Sequence, residues 1–320
     1  MVNMIPIVFA FDNRLTMPAA VCIYSLLFNA KPQTIYDIFI LYPQNENLDT
    51  RDIDKVTNQF DRHRIRFCGI SNLFDSSFEV RDITVVTYFR LLIPEVVLEY
   101  EKVIYSDVDV IFQDDLSDIY CKTNLNGMYL GAVNSLSHIV PNMHKYYTRI
   151  GLNPRKIFYA GNLIINSKEL LKDGMIDRFR SMARRKFLFQ DMDILNITCC
   201  DKVYFLGPEF CVTNYFCQYA LTNRKVLLDF WTESEILNAF KKGIIHYNGQ
   251  KPWKGYCVNF DIWWEYYRKS PAFEEKYYFD FFYRKLDEFD TLTLWKRIKI
   301  LLRYLIFYLN IILKNMILVI

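Results

Sequence analysis

The chain has 320 residues, of which 52% are hydrophobic, enough for one large domain or one domain with an appendage. Its formal net charge is only +3, so nothing in the total calls for a nucleic-acid partner. The 23 Tyr, 26 Phe and 5 Trp suit a protein that handles sugars or lies near lipid.

Ile5 to Phe11 is a continuous apolar run of the kind a buried strand shows, ending at Asp12-Asn13-Arg14. No charged-then-apolar leader precedes it, so a reducing cytoplasm is the expected home. Pro18 stands where a helix starts, and Ala19 to Phe28 carries helical apolar spacing. Tyr36 to Tyr42 reads as a second strand closed by Pro43, Leu48 to Phe60 as a surface helix, and Ile65 to Ile70 as a third strand. Strands alternating with helices through short connections predict an α/β fold with a mostly parallel sheet covered on both faces. In such sheets ligands bind beyond the carboxyl ends of the strands. No G-x-G-x-x-G follows the first strand and no G-x-x-x-x-G-K-[ST] occurs anywhere, which argues against a dinucleotide dehydrogenase or a P-loop enzyme.

The central stretch is Glu101 to Phe112, EKVIYSDVDVIF. Val103 to Tyr105 reads as a buried strand, and at period 2 Asp107 and Asp109 share one face if the strand continues, with Val108 turned into the core. Two like charges there repel unless neutralised, and a hard divalent cation prefers such oxygen ligands. The alternative is a pair of aspartates that cap local backbone. Just upstream, Thr87 to Leu91 predicts a short helix stopped near Pro94, with Arg90 either spread over the core beside a local acid or aimed at the acidic rim.

Downstream, Phe158 to Asn166 reads as a small-residue turn running into a buried strand, with Gly161 marking either a close backbone approach or a simple strand entry. Asp191 and Asp193 open a helix, where capping and a site role stand equally open. His246 ends a strand in IIHYNGQKPW, either as a hydrogen-bonded structural residue or as a third metal ligand beside the carboxylates, and Gly249 and Lys251 after it are parts suited to a diphosphate. The eight cysteines, at 22, 68, 121, 199, 200, 211, 217 and 257, include no C-x-x-C pair, so a common zinc site is not expected and most read as buried thiols.

Together VFAFDN, TYFRLLIP, EKVIYSDVDVIF, YAGNLIIN, FQDMDILN and IIHYNGQKPWKG resemble glycosyltransferase family 8, in the family's order and spacing, over about residues 5 to 256. That family includes the bacterial lipopolysaccharide α-galactosyl- and α-glucosyltransferases and glycogenin. The resemblance implies a Rossmann-like GT-A fold over 1–256 and a retaining transfer of glucose or galactose from a UDP-sugar to lipopolysaccharide or another cell-surface glycan. It implies Mn2+, with Mg2+ as the alternative, held by Asp107, Asp109 and His246. It assigns Ala10 and Asp12 to uracil and ribose, and Gly249 and Lys251 to the diphosphate. Arg90 falls near the sugar and the acidic pair, and Asp191 on the donor-sugar hydroxyls. Asn13, Val108 and Ala160 complete the implied donor contacts, and Asp191, Arg90 and Lys251 the implied catalytic set.

The chain departs from the family pattern in three places. Tyr159 stands where many relatives have Asn before Ala-Gly, Met192 stands between the acids of a Q-D-Q-D pattern, and the H-Y-x-G-x-x-K-P-W pattern is one residue short. Methionine cannot serve as a nucleophile, so same-face, ion-pair-like departure and attack is the expected route to retention. Two other readings compete: a catalytically lapsed relative that binds a glycan or partner, and a phosphohydrolase that cleaves nucleotide sugars.

Residues 257–320 are expected to be helical. From Leu292 onward Lys296, Lys299, Arg303, Asn310 and Lys314 fall in one arc at 100° per residue, with Leu301, Leu302, Leu305, Ile306, Leu309, Ile312, Leu313, Ile317 and Leu318 over much of the rest. The uncharged stretch between Arg303 and Lys314 is too short to span a bilayer of about 30 Å. A helix lying in an anionic membrane surface is expected, which would place the protein peripherally on the inner face of the cytoplasmic membrane.

Overall fold

A computed structural model describes residues 3–71, 85–299, 301, 302 and 305. Its strands are β1 (Asn3–Ala10), β2 (Thr34–Pro43), β3 (His63–Ile70), β4 (Lys102–Ser106), β5 (Val110–Ile111), β6 (Leu130–Asn134), β7 (Phe158–Asn166), β8 (Val203–Phe205), β9 (Val212–Thr213) and β10 (Ile245–His246). Among the described residues, seven strands form one sheet in the order β3-β2-β1-β4-β7-β6-β8, and three form a small sheet, β5-β10-β9. β1 to β4 run parallel, β7 runs against both β4 and β6, and β8 follows β6 in parallel. The expected mixed α/β architecture is therefore present, with one reversed strand inside the large sheet.

Burial on both faces explains the unbroken apolar runs. Ile7 and Phe9 of β1 join one core cluster with Ile23, Ile38 and Ile104, while Val8 joins the other with Phe39, Val103 and Tyr105. The helix Thr16–Phe28 lays Ala19, Cys22, Ile23 and Leu26 onto the first of these faces. Pro18 sits inside its first turn, where a missing N–H costs no helical bond.

Three expectations need correcting. The surface helix is shorter than 48–60, covering Arg51–Thr57. Pro94 does not stop a helix: a 3-10 helix at Val85–Leu92 hands over to the turn Ile93–Val96, which takes the proline into its own first turn. The turn before β7 is replaced by a plain strand entry: β7 is extended from Phe158, which pairs with Asn134 of β6, while pairing with β4 begins at Asn162.

The small sheet is roofed by the helices Phe260–Lys269 and Glu275–Asp290. Trp263, Trp264, Tyr267 and Phe281 share a core cluster with Val21, Ile111, Ile245 and Tyr247. Beyond them, residues 294–299, 301 and 302 are helical, with Leu294 and Trp295 71% and 80% exposed. Arg303, Asn310 and Lys314, and most of the proposed membrane-surface stripe, lie outside the described residues. No described helix is long and apolar enough to cross a membrane. All eight cysteines are free thiols; Cys22, Cys199, Cys211 and Cys217 are buried and Cys121 is exposed.

Candidate active site

β1 and β4 are parallel neighbours, with Ile7 opposite Ile104 and Val8 opposite Tyr105, so Asp12 and Asp107 emerge on the same carboxyl rim. β4 stops at Ser106 rather than continuing through the acidic pair. Asp107 N–H donates to Gly161 O of β7 at 2.7 Å and Ser106 Oγ to Asn162 Oδ1 at 2.7 Å, which holds the end of β4 against β7, and the chain then bends at Val108 and Asp109. Val108 turns into the core, 3% exposed, as the alternation predicts. The chain resumes as β5, and β10 pairs with it so that His246 faces Val110, next to Asp109. Tyr247 N–H on Asp109 O, at 2.9 Å, ties the two segments together.

The result is a convergence of Asp107, Asp109 and His246, with one ligand atom from each lying within 4.8 Å of the others. His246 Nε2 is 3.3 Å from Asp109 Oδ1 and 3.7 Å from Asp107 Oδ2. Burial opposes a charge on His246, but Asp109 outweighs it and the imidazole is pushed up to about 10. Burial likewise opposes a charge on Asp109, yet Lys251 and His246 hold its carboxyl well below the usual range. Two carboxylates and one imidazole form a donor set that fits Mn2+ or Mg2+.

Arg90 is buried behind this group and organises it. Its Nη2 donates to Asp107 Oδ1 at 2.9 Å, its Nη1 to Ala160 O at 2.6 Å, and its Nε lies 3.1 Å from Asp191 Oδ2. The guanidinium also covers the Tyr105 ring at 4.5 Å. Burial works against its charge, but Asp107 and Asp191 more than compensate and raise its pKa further. Asp191 is 6% exposed and takes a second bond from Thr87 Oγ1 at 2.7 Å; burial still raises its carboxyl above the ordinary value despite Arg90. The two acids of this helix divide their work. Asp191 faces the site, whereas Asp193 accepts from Phe189 N–H at 2.9 Å and from Tyr146, a capping role.

The other expected residues are placed as follows. Lys251 Nζ binds Asp109 Oδ2 and Tyr247 O, which brings it into the cluster. Gly249 sits in the loop after β10, where an added Cβ would meet Asn214 Nδ2 at 2.8 Å. Ala10 ends β1. Asp12 caps the following turn by accepting from Arg14 N–H at 3.0 Å and pairs with the Arg14 guanidinium at 2.8 Å. Asn13 is turned toward the next loop, bonded to Glu46 and Asn47. Tyr159 lies on the same side of β7 as Gly161, with its hydroxyl 3.5 Å from Thr213 Oγ1.

Sequence reasoning gave no role to Thr87, Tyr105 or Cys211. Tyr105 was findable, since it stands two residues before Asp107 in a strand and donates to Asp107 Oδ1 at 2.7 Å. Thr87 precedes Arg90 by one turn of 3-10 helix and accepts from its Nη2 at 3.2 Å. Cys211 carries no sequence signal, yet its Sγ is 3.5 Å from His246 Nδ1.

A GT-A type fold with an acidic pair and a histidine on its carboxyl rim defines the class as glycosyltransferase, and comparison with known proteins agrees. The profile of Glycosyl transferase family 8 matches residues 6–257. The chain belongs to glycosyltransferase family 8. A Haemophilus influenzae protein named provisionally as a glycosyltransferase is 26% identical over 209 residues, covering 64% of this chain and 62% of that protein. Glycosyltransferase GlyE of Streptococcus pneumoniae is 26% identical over 246 residues, 73% of this chain and 51% of GlyE. The chain thus spans a half to under two thirds of these curated relatives. Among solved structures, the galactosyltransferase LgtC, with donor and acceptor sugar analogues, shares the fold at a TM-score of 0.68 and 23% identity, covering 85% of this chain and 99% of LgtC.

Proposed function

We propose that this chain is a retaining, metal-dependent hexosyltransferase that moves glucose or galactose from a UDP-sugar to a lipopolysaccharide core or another cell-surface glycan. The observation that carries the proposal is the convergence of Asp107, Asp109 and His246 on the rim of a family 8 fold. These three would hold Mn2+, with Mg2+ as a substitute. When bound, the ion acts as a Lewis acid that stabilises charge on the departing UDP.

In this reading Ala10, Asp12 and Asn13, beyond β1, receive the uracil and ribose, and Gly249 and Lys251 receive the diphosphate. The backbone at Val108 and Ala160 lines the donor. Lys251, beside Asp109, adds a second cation to the leaving group. Arg90 fixes Asp107 and Asp191 together, and Asp191 accepts from donor-sugar hydroxyls. Met192 offers no nucleophile, so retention follows from departure and attack on one face of the sugar. The carboxyl-terminal segment from Leu292 lies on the anionic inner face of the cytoplasmic membrane and brings the site to a lipid-linked acceptor. The exposure of Leu294, Trp295, Leu301, Leu302 and Leu305 supports this.

The test is incubation with a panel of UDP-hexoses, following UDP release with and without glycan acceptor and the anomeric configuration of the product. Acceptor-dependent UDP release from UDP-glucose or UDP-galactose, with an α-linked product, is expected. UMP and hexose 1-phosphate in place of UDP support the phosphohydrolase instead, and no turnover of any donor supports the lapsed binding module.

A further inference from the structure

A histidine that ligates a metal through Nε2 must carry its proton on Nδ1, and that N–H needs an acceptor when the ring is buried. In metal sites the acceptor is commonly a carboxylate or a backbone carbonyl, which also sets the angle of the ring. His246 is 5% exposed, its Nε2 lies between Asp109 Oδ1 and Asp107 Oδ2, and its Nδ1 points away from both. The atom that meets Nδ1 is Cys211 Sγ, at 3.5 Å, within hydrogen-bonding range for sulfur.

Local structure holds this contact in place. Cys211 is 1% exposed and immediately precedes β9, which pairs with β10 so that Val212 faces Ile245 and Thr213 faces His246. Cys211 N–H donates to Pro208 O at 3.1 Å, and Val212 N–H to Ile244 O at 2.8 Å, fixing the backbone on either side of the sulfur. Across the ring, Gly161 leaves no Cβ to push the imidazole off this line.

We infer that Cys211 is the positioning residue of the metal site: its sulfur accepts from His246 Nδ1–H and so holds the tautomer and ring angle that present Nε2 to a divalent cation. The inference rests on the metal reading proposed above. It assigns the thiol no bond to the metal and no part in sugar transfer. Were the thiol the donor instead, Nδ1 would accept, Nε2 would carry the proton, and the ring could not ligate.

Mn2+ binding by the full chain, read from the free-ion electron paramagnetic resonance signal, tests this without any donor or acceptor. Cys211→Ala removes the acceptor, and Mn2+ should bind about 10- to 100-fold more weakly. Cys211→Ser keeps an acceptor at that place and should restore affinity to within about threefold. Cys217→Ala, which removes another buried thiol from the same core cluster, should leave Mn2+ affinity unchanged. If Cys211→Ala does not fold, histidine-selective 15N spectra of the Mg2+-loaded wild type decide. With four histidines in the chain, the His246 signals can be assigned by subtraction. A protonated Nδ1 whose signal shifts in Cys211→Ser supports the inference, and an unprotonated Nδ1, or one that Cys211→Ser leaves unmoved, overturns it. Equal Mn2+ affinity in wild type and Cys211→Ala also overturns it while leaving the metal site standing. A wild type that binds no Mn2+ overturns the metal reading as well.

Discussion

The imidazole of His246 rests against the bare Cα of Gly161. A Cβ built on Gly161 would overlap ring Cε1 and would lie 2.8 Å from Asp107 Oδ2. One missing side chain therefore lets two of the three converging groups approach. Gly161→Ala must displace the ring or the carboxylate, since both are held from behind, by Cys211 and by Arg90. Because misplacing reacting groups by about 1 Å costs about 10²-fold, transfer should fall on that scale while the far-ultraviolet circular dichroism stays unchanged. Wild-type turnover in Gly161→Ala would mean that the ring does not sit in this slot during the reaction.

Asp191 and Met192 are adjacent but should behave oppositely. Asp191 lies against Arg90 and Thr87, so Asp191→Ala leaves the buried Arg90 with less compensation, and it removes the carboxylate proposed for the donor-sugar hydroxyls. Met192 is partly buried where three core clusters meet. Met192→Ala should keep measurable retaining activity with a relaxed donor preference, and Asp191→Ala should be far slower. Steady-state rates with UDP-glucose and UDP-galactose compare the two. Activity lost in Met192→Ala and kept in Asp191→Ala would reverse the assignment.

Much of the fold was legible because β1, β2 and β4 are buried on both faces and show it as unbroken apolar runs. The acidic pair was legible too, though for a partly wrong reason: strand alternation does not continue through Asp107 to Asp109. β4 ends at Ser106, and a bend at Val108 and Asp109 leads into β5 with the two carboxylates close together. Cys211 and Thr213 were invisible because a parallel pairing of β9 with β10, across more than thirty residues, supplies them. The proline at 94 misled because a proline is accepted in the first turn of a helix, here Ile93–Val96, so the chain stays helical past it.

Trp264 is 1% exposed and packs on Phe281 at 4.6 Å between ring centroids, within the cluster that contains Ile111 and Ile245. The helix Phe260–Lys269 thereby shares a core with the strand that carries His246 and the strand that follows Asp109. Trp264→Ala should cost about 3–5 kcal/mol, the range for deleting a buried aromatic. Chemical denaturation should show a single transition in both proteins. A Trp264→Ala variant of unchanged stability would mean that these helices dock only loosely.

The segment after Leu292 should serve localisation rather than chemistry. Deleting residues 292–320 should reduce binding to anionic vesicles, which sedimentation measures, and spare transfer to a soluble acceptor analogue. Unchanged vesicle binding would assign the segment to the protein's own packing or to a partner.

The most direct test of the account is Mn2+-dependent UDP binding and hexose transfer in Asp107→Asn and Asp109→Asn beside wild type. Each substitution removes one oxygen ligand's charge from a group whose atoms lie within 4.8 Å of one another. The account predicts that the metal-dependent part of UDP binding disappears and that transfer falls by about 10²-fold or more, the scale of losing a main electrostatic stabiliser. Either variant turning over near the wild-type rate, with UDP binding still enhanced by Mn2+, would contradict it.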